Sequence, residues 1–272
     1  MRRLPSFRRV VAALALTGCV GGAPALAERT LPEPRAHTAQ AALAEGAPGT
    51  IDEARQDAVL DAAFADPQRA QALLRAPLAE VGVCLGPSAR FVGPGRSRAP
   101  LPATCADWIR LEDGGATLDV LRDESAFDLH ADRVCRGLEI AARSQLATRS
   151  TLDGFRIADG YGALPLAVST LTYAAGTLIG SGARLSDGYP PPREDGDDAL
   201  DLCALPERDG ERTCLRVEEL GRADVDRDGA EDLVVFTVGD AADTSDVLVG
   251  RVLVLARSPA SENFRVIDAA PR

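Results

Sequence analysis

Between Asp224 and Phe236 the chain reads Asp-Val-Asp-Arg-Asp-Gly-Ala-Glu-Asp-Leu-Val-Val-Phe, with carboxylates at Asp224, Asp226, Asp228 and Asp232 and Gly229 directly after the third. Residues of this type at this spacing serve one chemistry above others, the holding of a hard divalent cation. Ca²⁺ takes about six to eight oxygen ligands, and carboxylates at alternate positions converge on one point when the backbone wraps around it. A glycine supplies the left-handed backbone that such wrapping needs. The expected metal ligands are Asp224, Asp226, Asp228 and Asp232 through their side chains, and Ala230 through its carbonyl. An EF-hand is disfavoured, because its closing bidentate Glu belongs at the twelfth position, where this chain has Val235. Val235 sits in the short β-branched run Leu233–Val238, ended by Gly239, which reads as a strand.

The pattern Asp-x-Asp-x-Asp-Gly-x-x-Asp-Leu-Val-Val resembles the calcium loop of FG-GAP/VCBS-type repeats, over roughly residues 216–255. The resemblance implies a strand entering the loop and another leaving it. In that family the unit is one blade of a propeller. Only one copy is found here, and a single blade cannot close a propeller, so a complete propeller is not expected. Other Asp-Gly pairs, at 113–114, 153–154, 159–160, 187–188, 195–196 and 209–210, follow no fixed period, which argues against a repeat array.

Elsewhere the chemistry is sparse. The chain has no Lys, so a Schiff-base or amine nucleophile is excluded. His130, in Asp128-Leu-His-Ala-Asp132, is a candidate base without a nucleophile motif to serve. Ser181, in Gly180-Ser-Gly182, reads as a turn. Asp195, Asp197, Asp198 and Asp201 form a second acidic cluster, read as a solvated loop, with a weaker ion site as the other reading. Trp108 and Tyr161 fit either a core or a ligand-stacking role. Paired carboxylates for glycoside chemistry are not singled out by any spacing.

Net charge is −11 over 272 residues, and residues 194–246 hold 18 acids against five arginines. Phosphate binding needs a basic face, so nucleic acid is disfavoured as a partner. Residues 1–27 carry four arginines and no acid, then a short apolar run, and read as an export signal. Two endings compete: Ala25-Leu26-Ala27 suits release of a soluble periplasmic or secreted protein, while Leu16-Thr17-Gly18-Cys19 matches a bacterial lipobox with lipidation at Cys19. The lipobox is favoured, which predicts a membrane-anchored lipoprotein of the cell envelope, in the periplasm at the outer membrane. Residues 28–49, rich in Pro and Ala, read as a tether.

The elements that would position the loop follow in order. Thr50-Ile-Asp-Glu53 has the form of a capping box, and Asp66-Pro67 restarts a helix, giving a helical pair over 50–78. A β-rich body is expected over 79–198, with strands at 80–85, 108–111, 117–121, 155–158 and 164–172. Residues 133–146 are ambiguous and lean towards a helix. An antiparallel β module over 199–272 carries strands at 200–205, 213–220, 233–238, 247–256 and 264–267 around the loop. Asp-Gly between strand-like runs is a hairpin signal, so the fold class is mainly β (α+β), antiparallel and hairpin-rich.

Exported chains meet oxidising conditions, so disulfides are expected. Cys203 and Cys214 flank Glu207-Arg208-Asp209-Gly210, a candidate hairpin loop, and are expected to pair; Cys84 with Cys105 is the second expected pair. Cysteine and histidine spacing does not fit zinc. The function these readings define is a non-enzymatic envelope protein with one structural Ca²⁺ loop, acting by binding or scaffolding on a protein or glycan. The alternative is a secreted hydrolase using carboxylates or His130.

Overall fold

The computed structural model describes residues 49–119, 125–168, 183–189, 199–203, 214–241, 244–257 and 263–269. At its centre is a five-stranded antiparallel sheet in simple sequence order. Its strands are β6 (Ala199–Cys203), β7 (Cys214–Ala223), β8 (Asp232–Ala241), β9 (Thr244–Arg257) and β10 (Phe264–Ala269). Leu233, Val234, Val235 and Phe236 of β8 are all buried. Alternate residues of a strand point to opposite faces, so an unbroken buried run means that both faces of the sheet are covered.

One face carries Val234, Phe236, Leu220, Ala223, Val252 and Val254 and packs against helices; the other carries Leu233, Val235, Leu215, Val217, Leu253 and Leu255 and packs against residues 152–168 and 185–189. Strand β7 changes face along its length. Its register with β8 slips between Glu219 and Gly221, so Leu215 and Val217 join one core while Leu220 and Ala223 join the other. The slip places Gly221 under Phe64, where an added Cβ would lie 2.3 Å from the ring. Only glycine fits there.

The helical face is built by α1 (Glu53–Ala65), α2 (Pro67–Leu74), α3 (Cys105–Asp113) and α4 (Ser125–Arg143). Helix α4 buries Ala131, Val134, Cys135, Leu138 and Ala141, the three-and-four spacing of an apolar helix stripe. The ambiguity over 133–146 thus resolves to helix as far as Arg143. Asp66 caps α2 as expected, accepting a hydrogen bond from Gln68 N at 2.9 Å, with Pro67 at its first position. The expected box at Thr50 is displaced. Thr50 instead pairs with Cys84 in a two-stranded ribbon, β1 (Gly49–Ile51) with β2 (Val83–Leu85), and Asp52 caps α1.

Three expected strands in the 79–198 body are corrected. Residues 108–111 lie in α3, whose Thr104 side chain accepts a hydrogen bond from Asp107 N at 3.1 Å while Asp107 accepts one in return from Thr104. That local cap, together with burial of Cys105, Trp108 and Ile109 at helical spacing, outweighs the strand-forming residue types. Residues 155–158 are irregular chain that enters a turn at 157, and 164–168 end in a short 3₁₀ turn at Leu166–Val168; residues 169–172 lie outside the described part. These segments are apolar because they cover the sheet rather than join it. Backbone carbonyls over 151–155, at the start of this cover, are met by strand arginines: Arg222 donates to Leu152 O at 2.8 Å and Phe155 O at 2.7 Å, and Arg257 donates to Thr151 O at 3.1 Å. A small third sheet, ordered β4-β3-β5 (Arg98–Ala99, Phe91–Val92 and Thr117–Leu118), places Phe91 edge-on to the buried Trp108 at 5.1 Å. Among the described residues the result is an α+β fold, mainly antiparallel β, with no sheet closed into a barrel or propeller.

Asp-Gly proves a general turn signal. Of the described pairs only 228–229 joins two strands; 113–114 ends α3 and 187–188 lies in the short α5 (Leu185–Gly188). The pairs at 195–196 and 209–210, most of the acidic cluster and Ser181 lie outside the described residues.

Two arginines of α4 tie the helical layer together. Arg133, 5% exposed, pairs with Asp57 of α1 at 2.7 Å and with Glu218 of β7. Arg136 meets Asp113 at 2.6 Å, Glu139 at 3.2 Å, Glu112 at 3.3 Å and Asp132 at 3.4 Å. Burial, and then the charge of Asp132, push the Glu112 carboxyl well above its ordinary range.

Cys203 and Cys214 stand opposite each other across β6 and β7 and are bonded, as expected. The pair Cys84–Cys105 does not form. Cys105 opens α3 and is bonded to Cys135 of α4, with the two Cα atoms 4.9 Å apart. The helix at 105–113 aims Cys105 at the neighbouring helix rather than at the strand that holds Cys84. Loop-closure entropy ranks the two bridges, because the span between their cysteines is 30 positions for Cys105–Cys135 and 11 for Cys203–Cys214. Removing the first by paired Cys→Ala replacement is expected to cost about 3–4 kcal/mol, and removing the second about 3 kcal/mol. Urea unfolding of the two double variants checks the order; equal stability of both with the parent chain would contradict it.

Candidate metal site

The loop between β7 and β8 begins with Asp224, fully buried, and ends with Asp232, 2% exposed. Two left-handed residues turn it, Arg227 at φ 65° and Gly229 at φ 85°. Carboxylate oxygens of Asp224, Asp226 and Asp232 lie within 4.8 Å of one another. The expected ligand set is therefore brought together for three of its four aspartates. Asp228 is exposed and otherwise engaged: its Oδ1 accepts a hydrogen bond from Ala230 N at 2.7 Å, and its Oδ2 lies 3.7 Å from Arg149. Ala230 is buried beside it.

Each converging carboxylate has one oxygen held by the chain. Asp224 Oδ2 accepts hydrogen bonds from Gly229 N at 3.0 Å and Gln145 Nε2 at 2.7 Å. Asp232 Oδ2 accepts from Val225 N at 2.9 Å and Asp226 N at 3.4 Å, and Asp226 Oδ1 accepts from Asp228 N at 3.1 Å. These donors fix the carboxylates in place. They leave Asp224 Oδ1 buried with no hydrogen-bond partner among the described residues. A buried carboxylate oxygen without a donor is costly, and one in the company of two further carboxylates more so.

The loop is laced from outside by the segment that follows α4, a feature no local pattern in the sequence announces. Gln145 and Asp224 exchange backbone hydrogen bonds at 3.0 and 3.1 Å. Gly229 O accepts from Thr148 N, Arg149 N and the Thr148 hydroxyl, and Ser150 donates to Glu231 at 2.6 Å. Positive charge nearby is thin: Arg265 of β10 stands 3.9 Å from Asp226.

His130 lies elsewhere, on α4, lining a cleft of about 370 Å³ between α1, α4 and the sheet. Its nearest carboxylate is Glu53 at 3.7 Å, not Asp128 or Asp132. The described residues lining that cleft include no Ser, Thr or Cys. Trp108 is core, and Tyr161 donates its hydroxyl to the Tyr189 carbonyl.

No family model, curated protein or solved structure matches the chain. No described helix is long and apolar enough to cross a membrane.

Burial, with the charges of Asp226 and Asp228 adding to it against opposing backbone hydrogen bonds, pushes Asp232 up to about 6 from its ordinary 3.8. Protonation at this carboxyl therefore favours the folded loop. Its contribution is fully present below about pH 4 and is lost as pH rises through about 6. In chelator, Asp232→Asn is expected to melt higher than the parent chain at pH 7 and to show no such gain at pH 4. Thermal melts at the two pH values check this; a variant less stable at both would refute it.

Proposed function

We propose that this chain is a non-enzymatic protein of the bacterial cell envelope whose Asp224–Asp232 loop binds a structural Ca²⁺ ion, and that it acts by binding or scaffolding. The observation that carries the reading is Asp224 Oδ1, a buried oxygen with no donor in a loop where three carboxylates converge. A dication relieves that defect and the mutual repulsion together. Ca–O bonds of about 2.3–2.6 Å let one ion reach oxygens separated by up to the 4.8 Å seen here. The Ala230 carbonyl and water complete the shell, with Asp228 available on the exposed side. In this reading the ion stiffens the turn between β7 and β8, and the resemblance to FG-GAP/VCBS-type loops supports it over residues 216–255.

Export is supported by the two disulfides between described residues, which belong to an oxidising compartment, together with the signal-like residues 1–27. Lipidation at Cys19 supplies the anchor. Affinity is expected at about 10⁻⁴–10⁻³ M, the range of extracellular modules. At a hundredfold excess over Kd the ion stabilises the fold by about 2.7 kcal/mol. Thermal melts in Ca²⁺ and in chelator are expected to differ accordingly for the parent chain and to coincide for Asp226→Ala. An unchanged melting temperature in the parent chain removes the ion from the account. For the anchor, mass spectrometry of the mature protein is expected to find a diacylated Cys19 at the N-terminus; a mature chain starting at Glu28 would show release instead.

A further inference from the structure

Gln145 is 79 positions from Asp224 in sequence, yet its amide is the shortest hydrogen bond to that carboxylate, at 2.7 Å on Oδ2. Gly229 N occupies the same oxygen at 3.0 Å. With both donors on Oδ2, the carboxylate is locked in one rotation and presents Oδ1 alone. Building on the Ca²⁺ reading above, we propose that Gln145 is a positioning residue for the ion: it holds Asp224 as a one-oxygen ligand, so part of the site's affinity resides in the segment after α4. Asp226 and Asp232 are oriented by backbone amides of the loop itself. Among the described residues, Asp224 is the one of the three that also takes a side-chain hydrogen-bond donor from outside it.

The side chain of Gln145 is separable from its structural role. Its backbone N and O bridge Asp224 whatever the side chain is, and the residue is exposed, so replacing it opens no buried cavity. Thr148 supplies the control. Its hydroxyl also laces the loop, at 3.0 Å to Gly229 O, but touches no converging carboxylate. Groups that orient a metal ligand usually carry about 10–100-fold in affinity.

The experiment is calorimetric titration of the full mature chain with Ca²⁺ alone, alongside melts in chelator, for the parent, Gln145→Leu and Thr148→Val. The expected result is a Kd raised about tenfold or more in Gln145→Leu, with its melting temperature in chelator nearly unchanged, and a Kd close to the parent's in Thr148→Val. Unchanged affinity in Gln145→Leu, or equal losses in both variants tracking a lower melting temperature in chelator, overturns the positioning role while leaving the ion site standing. Absence of binding in the parent chain overturns the ion reading itself, and this inference with it.

Discussion

Strand β8 cannot exist without cover on both sides, and most of the architecture follows from that. Four consecutive apolar residues, Leu233 to Phe236, alternate between two faces of one sheet, and leaving either face wet would forfeit burial worth about 1.5–3 kcal/mol for each large side chain. A helical layer meets one face. A layer of turns meets the other, and it can lie there because arginines of β7 and β9 reach out to its carbonyls. Buried backbone carbonyls need donors, and helices would have supplied their own. The irregular cover therefore depends on the strands for its hydrogen bonds as well as its hydrophobic contacts.

Charge is handled by the same economy of shared partners. Arg133 and Arg136, neighbours on α4, lie on the same helix yet serve different sites: one ties α1 to β7, the other gathers acids from α3 and α4. Breaking such buried pairs costs far more than their net formation contributes, so their value lies in fixing how the helices sit on the sheet. The Asp224–Asp232 loop inverts this pattern. There, among the described residues, the carboxylates gather around no guanidinium; the nearest described arginine charges are 3.7 Å from Asp228 and 3.9 Å from Asp226. Backbone amides and one glutamine hold the acids in position instead. Amide donors orient a carboxylate without neutralising its charge.

The loop is also where the two layers meet in the chain. Residues 145–151 run from the end of α4 over the loop and on into the turn layer, bonding to Asp224, Gly229 and Glu231 on the way. Stiffening the loop therefore stiffens the crossing between the two sides of the sheet.

Much of this was legible in the residues alone, for local reasons. Short apolar runs from 200 to 267 announced the strands, the Asp ladder with Gly229 announced the loop, and Asp66-Pro67 announced a helix start, because each depends on neighbours a few positions away. Cys203 and Cys214 were likewise readable, being opposed across adjacent strands. Tertiary contacts decided the rest. Residues 155–158 and 164–168 have the composition of strands, but apolar content reports burial, not hydrogen-bond partners, and these segments bury Ile157, Leu164, Leu166 and Val168 over one face of the sheet. Trp108–Leu111 went to a helix through the Thr104–Asp107 cap, and that helix redirected Cys105 from Cys84 to Cys135. The contact of Gln145 with Asp224 was beyond any sequence pattern, since a lone glutamine acquires meaning only when folding lays it against a carboxylate 79 positions away.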